Sequence, residues 1–544
     1  MQITQHDARF ASADQITPDD LAAIHAAGYR SIVCNRPDGE GGEAQPTAQA
    51  LRDAASQFGL QFAYLPVKPG QITAEAAAQF AQLLVDLPGP VLAYCRSGNR
   101  AASLYRLAHQ GAPAQASQAT NAANATNAAR AATAACAWEG ETWDVVVIGG
   151  GTAGICVTAS LLRREPNLKI AVVEPSDHHD YQPAWTLVGG GAYDVTKTRR
   201  PMASVMPAGV KWLRTAATRV EPDANVVQLE NGERVAYRQL IVAPGLRLAW
   251  ERIAGLAETL GKNGVTSNYR YDLAPYTWQL VQQMKGGTAL FSQPGMPIKC
   301  AGAPQKAMYL ACDHWRREGV LGKIGVEFNL AGPVLFGVPT FVPPLMEYVK
   351  RYNANLAFSS NLVAVDGPAR IATFEVKDAN GNVTRVEKRF DMLHAVPPQV
   401  APDFIRDSQL ADETGWCEVD HATLQHLRYP NVFSLGDVCS APNAKTGAAA
   451  RKQAVIVAGN LLAARAGAPL PWRYDGYGSC PLTVEKGKVV LAEFGYGGRL
   501  LPTFPLDPTR PRRLMWLLKA NVLPGFYWWG MLKGREWLTR AARG

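Results

Sequence analysis

An unbroken apolar run, Val145-Val-Val-Ile148, ends in three glycines and is followed at once by a helical pattern from Ile155 to Arg164. No other feature restricts the fold as much. Strand residues without polar alternation must be covered on both faces, which demands a parallel sheet clad in helices. Gly149, Gly151 and Gly154 have the spacing G-x-G-x-x-G. They permit a tight turn and let backbone N–H groups at a helix N-terminus approach a pyrophosphate. A second strand, Lys169-Ile-Ala-Val-Val, ends on Glu174, 20 residues past the third glycine, where a carboxylate can meet ribose hydroxyls. Strand, turn, helix, strand and acid in this order predict a dinucleotide-binding half-domain.

The chain around this half-domain divides into parts. Its 544 residues imply several domains, and 47% apolar content is ample for full cores. Residues 114–137 are an Ala/Asn/Thr/Gln tract without a large apolar side chain, which cannot bury enough surface to offset its ordering entropy. A flexible linker over 113–140 is therefore expected. It separates a first domain, 1–112, from a large second one, 141–505, and a tail, 506–544. In the first domain short β-like runs (Ser31–Cys34, Phe62–Pro66, Val91–Tyr94) alternate with helical segments, again an α/β parallel-sheet pattern.

Two later segments choose the nucleotide. Leu240-Ile-Val-Ala-Pro-Gly245 resembles the strand and turn that close over a flavin in two-dinucleotide-binding reductases, and Asn431-Val-Phe-Ser-Leu-Gly-Asp437 resembles their late strand, whose Asp contacts the ribityl chain. FAD is the expected cofactor. The following helix, about Thr446 to Ala464, would aim its positive N-terminal end at the flavin, and Lys445 would add charge there. The strand where a second glycine turn for a pyridine nucleotide is normally found, Gly287-Thr-Ala-Leu-Phe-Ser292, runs instead into Gln-Pro-Gly-Met-Pro-Ile-Lys-Cys300. Pyrophosphate donors are lost and a sulfur nucleophile is supplied. Cys439, in Gly-Asp-Val-Cys-Ser, is the second cysteine near the expected flavin, 139 residues from Cys300.

From about Trp143 to Arg540 the chain closely resembles the membrane-bound sulfide:quinone oxidoreductases, particularly those of mitochondria and related bacteria. The likeness rests on Lys299-Cys-Ala-Gly-Ala-Pro-Gln-Lys306, Tyr429-Pro-Asn-Val-Phe to Lys445-Thr446, Cys480-Pro-Leu with Leu491-Ala-Glu-Phe494, and Lys519-Ala-Asn with Phe526-Tyr-Trp528. It implies that Cys300 and Cys439 form the redox-active pair, with sulfide attacking on the Cys439 side and Cys300 handing two electrons to the flavin for a membrane quinone. Cys156 falls inside the first helix and reads as core, while Cys312, Cys417 and Cys480 read as small buried hydrophobes.

In the first domain Tyr94-Cys95-Arg-Ser-Gly-Asn-Arg100 lies between a strand and a helix. Such a loop turns successive backbone N–H groups and a helix dipole toward the Cys95 sulfur, stabilising a thiolate or persulfide. The Cys-x4-Arg spacing resembles rhodanese-like sulfurtransferases on a phosphatase fold, with Cys95 and Arg100 catalytic; Asp38 would be the general acid of a phosphatase.

Net charge is +9, and from Arg510 to the end eight Lys or Arg stand against one acid, Glu536. The same stretch carries Trp, Phe and Leu in two short amphipathic pieces split by Pro524, which suits a membrane surface rather than nucleic acid. Phe494 and Phe504 are candidates for a quinone pocket. No run of about 18 apolar residues exists, so no spanning helix is expected. Nine cysteines without a C-x-x-C give no structural metal site, and no secretory signal is visible. The combined expectation is an enzyme that oxidises sulfide to sulfane sulfur and reduces quinone, with the Cys95 domain passing sulfur to or from a small thiol such as glutathione. Its expected location is the cytoplasmic face of a bacterial inner membrane, and a homo-oligomer is left open. The alternative is an NADH:quinone-type flavin reductase with an N-terminal phosphatase domain.

Overall fold

The computed structural model describes residues 3–7, 9–42, 45–67, 73–96, 98–110, 141–537, 539 and 542–543. The tract expected as a linker, 113–140, lies outside the described residues. The chain divides into two compact units, Met1–Cys136 and Ala137–Gly544.

The first unit is built on β1 (Ile3–Gln5), β2 (Phe10–Ala13), β3 (Ser31–Cys34), β4 (Gln61–Tyr64) and β5 (Val91–Tyr94), in the spatial order β1-β2-β5-β3-β4. All pairings but the outermost β1–β2 are parallel. β2, β3 and β5 are buried throughout, whereas β4 at the edge is half exposed. This is the pattern a sheet covered on both faces imposes. The covering helices are α1 (Leu21–Ala26), α2 (Ala48–Gln57), α3 (Ala74–Asp86) and α4 (Asn99–Gln110). α2 and α3 start where Thr47 and Thr73 hydroxyls accept the N–H three residues on, satisfying orphan donors of the first turn.

The second unit opens with β6 (Thr142–Ile148), α5 (Thr152–Arg164) and β7 (Ile170–Val173). They join a seven-stranded sheet with β8 (Lys211–Leu213), β9 (Ala217–Glu221), β10 (Val226–Leu229) and β11 (Arg234–Val242), in the order β8-β7-β6-β11-β10-β9. β12 (Val432–Ser434), though about 190 residues later in the chain, pairs in parallel with β11, Leu240 opposite Val432. α5 is buried from Ala153 to Leu161, and Ile155, Val157 and Leu161 are fully covered. Each such side chain contributes about 1.5–3 kcal/mol.

A second, all-parallel five-stranded sheet holds Val265–Thr266, Met392–His394, Gly287–Gln293, Ile324–Leu330 and Asn355–Ala357 in that spatial order. After the Gly287–Gln293 strand a loop leads to α6 (Ala303–Arg317). α7 (Gly447–Arg465) follows β12 and packs along α5. A hairpin of β13 (Gly478–Glu485) and β14 (Lys488–Phe494) lies on α6. The tail forms α8 (Arg513–Leu517), a π-turn at Leu518–Val522, and α9 (Leu523–Trp529). Pro524 stands in the first turn of α9, where the missing N–H leaves no bond unmade. Among the described residues, no helix is long and apolar enough to cross a membrane.

Candidate active site

The glycine turn between β6 and α5 has the strictness its spacing implies. Gly149 has φ +101°, and a Cβ there would lie 2.4 Å from the Ala243 carbonyl oxygen; at Gly154 it would lie 1.8 Å from that of Gly149. Gly151 caps α5, and a Cβ on it would meet nothing within 4 Å, so this backbone faces open space. That space is a cavity of about 430 Å3 whose walls include Gly151, Gly245, Asp437, Thr446, Cys300 and Lys306. Glu174 holds the turn itself: its carboxylate accepts the N–H groups of Gly150 and Ser176, each at 2.7 Å.

β12 and α7 supply the opposite wall. Lys445, expected as a charge near the cofactor, is only 6% exposed and donates to the carbonyls of Asp437 (2.6 Å) and Cys439 (2.9 Å). It thus ties down the loop that presents Asp437. Burial draws the Lys445 ammonium below its usual range, and burial pushes the Asp437 carboxyl up against the pull of Lys445 and Lys299. Thr446 caps α7 through its hydroxyl, so the helix N-terminus opens on the cavity.

Cys300 occupies the loop between Gly287–Gln293 and α6, the position of the lost second glycine turn. Its φ is +47°, an uncommon left-handed conformation for a residue with a side chain. Two contacts hold it there: its N–H donates to the Lys445 carbonyl at 2.8 Å, and the Tyr269 hydroxyl donates to the carbonyls of Lys299 and Cys300 at 3.1 and 3.4 Å. The sulfur receives the Lys306 ammonium at 3.1 Å and faces the Cys480 sulfur at 3.8 Å. Lys306 is 3% exposed, and its ammonium is 4.0 Å from Cys480. Lys519, from the tail, is buried nearby and donates to the Pro481 carbonyl (3.0 Å) and the Thr483 hydroxyl (2.7 Å). The Cys480 hydrogen bond and the Lys306 charge hold the Cys300 thiol well below its usual range, while Cys480 is pushed well above.

The structure brings the Cys300 sulfur beside that of Cys480 and does not bring it to that of Cys439. Cys439 has no exposed surface and packs in the core around α5 and α7. Its sulfur meets the Gln453 amide at 3.8 Å, and burial raises its thiol. Asp437 borders the cavity, whereas Val438 and Cys439 turn inward. Cys480 was read as a small buried hydrophobe although Cys480-Pro-Leu is one of the motifs that carry the family likeness; its place beside Cys300, 180 residues away, shows only in the fold. Lys306 and Lys519 stand in motifs whose lengths were legible but whose ammonium groups were not assigned. Cys156, 3% exposed with its thiol pushed up to about 12 by burial, is a core residue as read. No group of acids, histidines and cysteines able to hold a metal occurs among the described residues.

The tail closes one side of the cavity. Leu518, Val522, Leu523, Phe526 and Tyr527 border it, as does Phe504, while Phe494 packs edge-on against Phe336 instead. Tyr527 is anchored to Thr152 (2.7 Å) and His179 (2.5 Å), and the Arg200 guanidinium lies over Trp528. Leu514, Leu517, Val522, Trp529 and Trp537 remain about half exposed.

In the first unit, Cys95 follows β5 and is fully buried; the Arg100 N–H donates to its sulfur at 3.3 Å. The Arg100 side chain forms a two-pronged bond to Glu40 (2.7 and 2.8 Å) and donates to the Val67 carbonyl, and Arg36 donates to the same carboxylate. Asp38 accepts the Ala48 N–H at the start of α2.

Residues 143–275 match the family model described as pyridine nucleotide-disulphide oxidoreductase, and residues 3–112 that of the phosphatase-like domain of beta-lactamase hydrolase-like protein. The second unit is therefore a Rossmann-type oxidoreductase and the first a phosphatase-like domain. The mitochondrial sulfide:quinone oxidoreductase of Dictyostelium discoideum is 41% identical over 72% of this chain and 86% of its own length. That of Mus musculus is 40% identical over 73% and 88%. The chain belongs to the sulfide:quinone oxidoreductase family, and its cofactor is FAD. The solved sulfide:quinone oxidoreductase of Aquifex aeolicus, 19% identical, has the same fold, with a TM-score of 0.61 over 73% of this chain and 92% of that one. The residues present fit the cofactor: the Gly149–Gly154 cradle opens on the cavity, with Gly245, Asp437 and the α7 N-terminus facing it. The location read from the sequence does not stand, because these relatives are named as mitochondrial and not as proteins of a bacterial inner membrane.

Proposed function

We propose that this chain oxidises sulfide at Cys300, delivers two electrons to a quinone, and passes the sulfane sulfur to a small thiol. One observation carries the reading: a buried ammonium, Lys306, lies 3.1 Å from a cysteine sulfur on the wall of a nucleotide-type cavity. Bound FAD would accept the electron pair from sulfur and pass it to the quinone. The residues around the site do the rest. Lys306 keeps Cys300 anionic and so nucleophilic. Lys519 fixes the strand that carries Cys480, through the Pro481 carbonyl and the Thr483 hydroxyl. Gly149, Gly151 and Gly154 accommodate the pyrophosphate, and Asp437 and Lys445 fix the loop beside the ring system. Leu518, Val522, Leu523 and Phe526 offer an apolar approach for a quinone tail, and the exposed Leu514, Leu517 and Trp529 would rest in a lipid headgroup layer, with Arg512 and Arg513 reaching phosphates.

For the first unit the reading is sulfur transfer at Cys95. The Arg100 N–H bond to the sulfur and the guanidinium behind it suit a persulfide or a thiosulfate anion. Glutathione is the acceptor class favoured for both sites.

The test is an anaerobic flavin spectrum of the full-length holoprotein. Sulfide should bleach the flavin and a short-chain quinone should restore it. Bleaching by NADH with no response to sulfide would refute the assignment.

A further inference from the structure

One chain of hydrogen bonds joins the tail to the glycine turn. We propose that Tyr527 and His179 are positioning residues for the cofactor cradle: they fix the peptide between Gly150 and Gly151 in the orientation that receives the pyrophosphate, so that the tail is part of the FAD site. Cofactor retention of this kind does not depend on the sulfide-oxidising reading above.

The bonds run in one direction. His179, on the short strand His178–Asp180, is 3% exposed, and burial keeps its imidazole neutral by pulling its pKa down to about 4. A neutral ring has one N–H and one acceptor nitrogen. Nδ1 lies 3.1 Å from the Gly150 carbonyl, which can only accept, so Nδ1 carries the proton and Nε2 is the acceptor. The Tyr527 hydroxyl, 2.5 Å from Nε2, therefore donates there, and its oxygen is left to accept the Thr152 hydroxyl at 2.7 Å. Tyr527 stands on α9 and is 2% exposed. Beyond α9 the tail backbone stays pressed on α5: at Gly534 a Cβ would lie 2.6 Å from the Ala159 carbonyl oxygen.

The end of this chain decides what it does. The Gly150 carbonyl and the Gly151 N–H share one planar trans peptide and point in opposite directions. Holding the carbonyl on His179 turns the Gly151 N–H the other way, at a residue that borders the cavity and has open space beside its α-carbon. Glu174 accepts the Gly150 N–H at 2.7 Å and pins the preceding peptide. The backbone alone would not keep this orientation, because a peptide with glycine on both sides is free to flip. A flipped peptide would turn a carbonyl oxygen toward the phosphates and replace an attraction by a repulsion. Without the Tyr527 hydroxyl, Nε2 loses its donor, the proton can move from Nδ1 to Nε2, and the hold on Gly150 goes with it.

The quantity to measure is the rate at which full-length holoprotein releases FAD, followed as the rise in free-flavin fluorescence after dilution. Tyr527→Phe keeps the ring beside Tyr181 and removes only the hydroxyl; it should release FAD about tenfold faster than the parent. His179→Gln should release it at least as fast, and the double variant no faster than His179→Gln alone, because both changes break one chain. Glu536→Gln loosens the tail elsewhere, at its bonds to Ser160 and Arg164, and should stay within about twofold of the parent. In the parent itself, trypsin should cut the tail between Arg512 and Arg535 several-fold faster after FAD is removed, since cofactor and docked tail stabilise each other. A parent-like rate in Tyr527→Phe, effects that multiply in the double variant, an equal acceleration in Glu536→Gln, or a tail cut equally fast with and without FAD overturns the proposal.

Discussion

Two cysteines in this molecule occupy the same place in a repeated motif and are held by opposite means. Cys95 and Cys300 each lie between a buried parallel strand and the helix that follows it. At Cys95 the sulfur receives a backbone N–H, and the cation behind it, Arg100, is already bonded to Glu40. At Cys300 the backbone is strained, and the nearest donor is a buried ammonium with no acid among its hydrogen-bond partners. A loop that holds sulfur with backbone dipoles and a balanced guanidinium suits an anion that comes and goes. A loop that confronts sulfur with unbalanced lysines suits a standing thiolate. On the proposed function, the difference is that between a transfer site and a redox site built on one structural theme.

Removing the lysine should do the most damage. Lys306→Met takes away the charge that keeps Cys300 ionised in a dry site, and sulfide-dependent flavin reduction should fall by on the order of a hundred-fold or more. The same variant should move the pH at which Cys300 becomes alkylated by iodoacetamide upward, toward or above the ordinary thiol range. An unmoved alkylation profile would mean that Lys306 is only a packing residue. In the first unit, Arg100→Ala should lower sulfur transfer from thiosulfate to glutathione by roughly a hundred-fold, because the anion loses its guanidinium. Equal transfer by parent and variant would break the parallel between the loops.

Much of this contrast was legible from residues close in sequence. The glycine turn could be read because three glycines at fixed spacing admit so few backbones, and the structure has Gly149 and Gly154 against carbonyl oxygens that no Cβ could approach. Cys300 could be read because it replaces such a turn. Cys480 could not, since strand burial hides which face a sulfur takes until β13 is set on α6. The burial of Cys439 was hidden for the complementary reason: Asp437 marks the cavity wall, but two residues on the chain has turned into the core. The tail's apolar residues announced a surface preference; that Leu518, Val522 and Phe526 would also wall the cavity depends on where α9 docks, through Tyr527 to Thr152 and His179.

The subtlest test of the comparison is Glu40. Its carboxylate grips both prongs of Arg100. Burial alone would raise the Glu40 carboxyl, but hydrogen bonds from Arg100 and Arg36 outweigh it and hold the group below its usual range. A depressed acid contributes stability above its unfolded-state pKa and loses it as pH falls through the folded value. The Glu40–Arg100 tie should therefore be intact at neutral pH and weaken only below the ordinary carboxylate range. Glu40→Gln removes the competing charge at every pH, so thiosulfate measured by calorimetry should bind the variant roughly tenfold more tightly at pH 7. The parent should approach the variant's affinity on acidification, as its own Glu40 becomes neutral. If the variant binds more weakly instead, Glu40 is not a rival for the fork but a strut that aims Arg100 at the sulfur, and the first loop is then as rigidly committed to one state as the Cys300 loop.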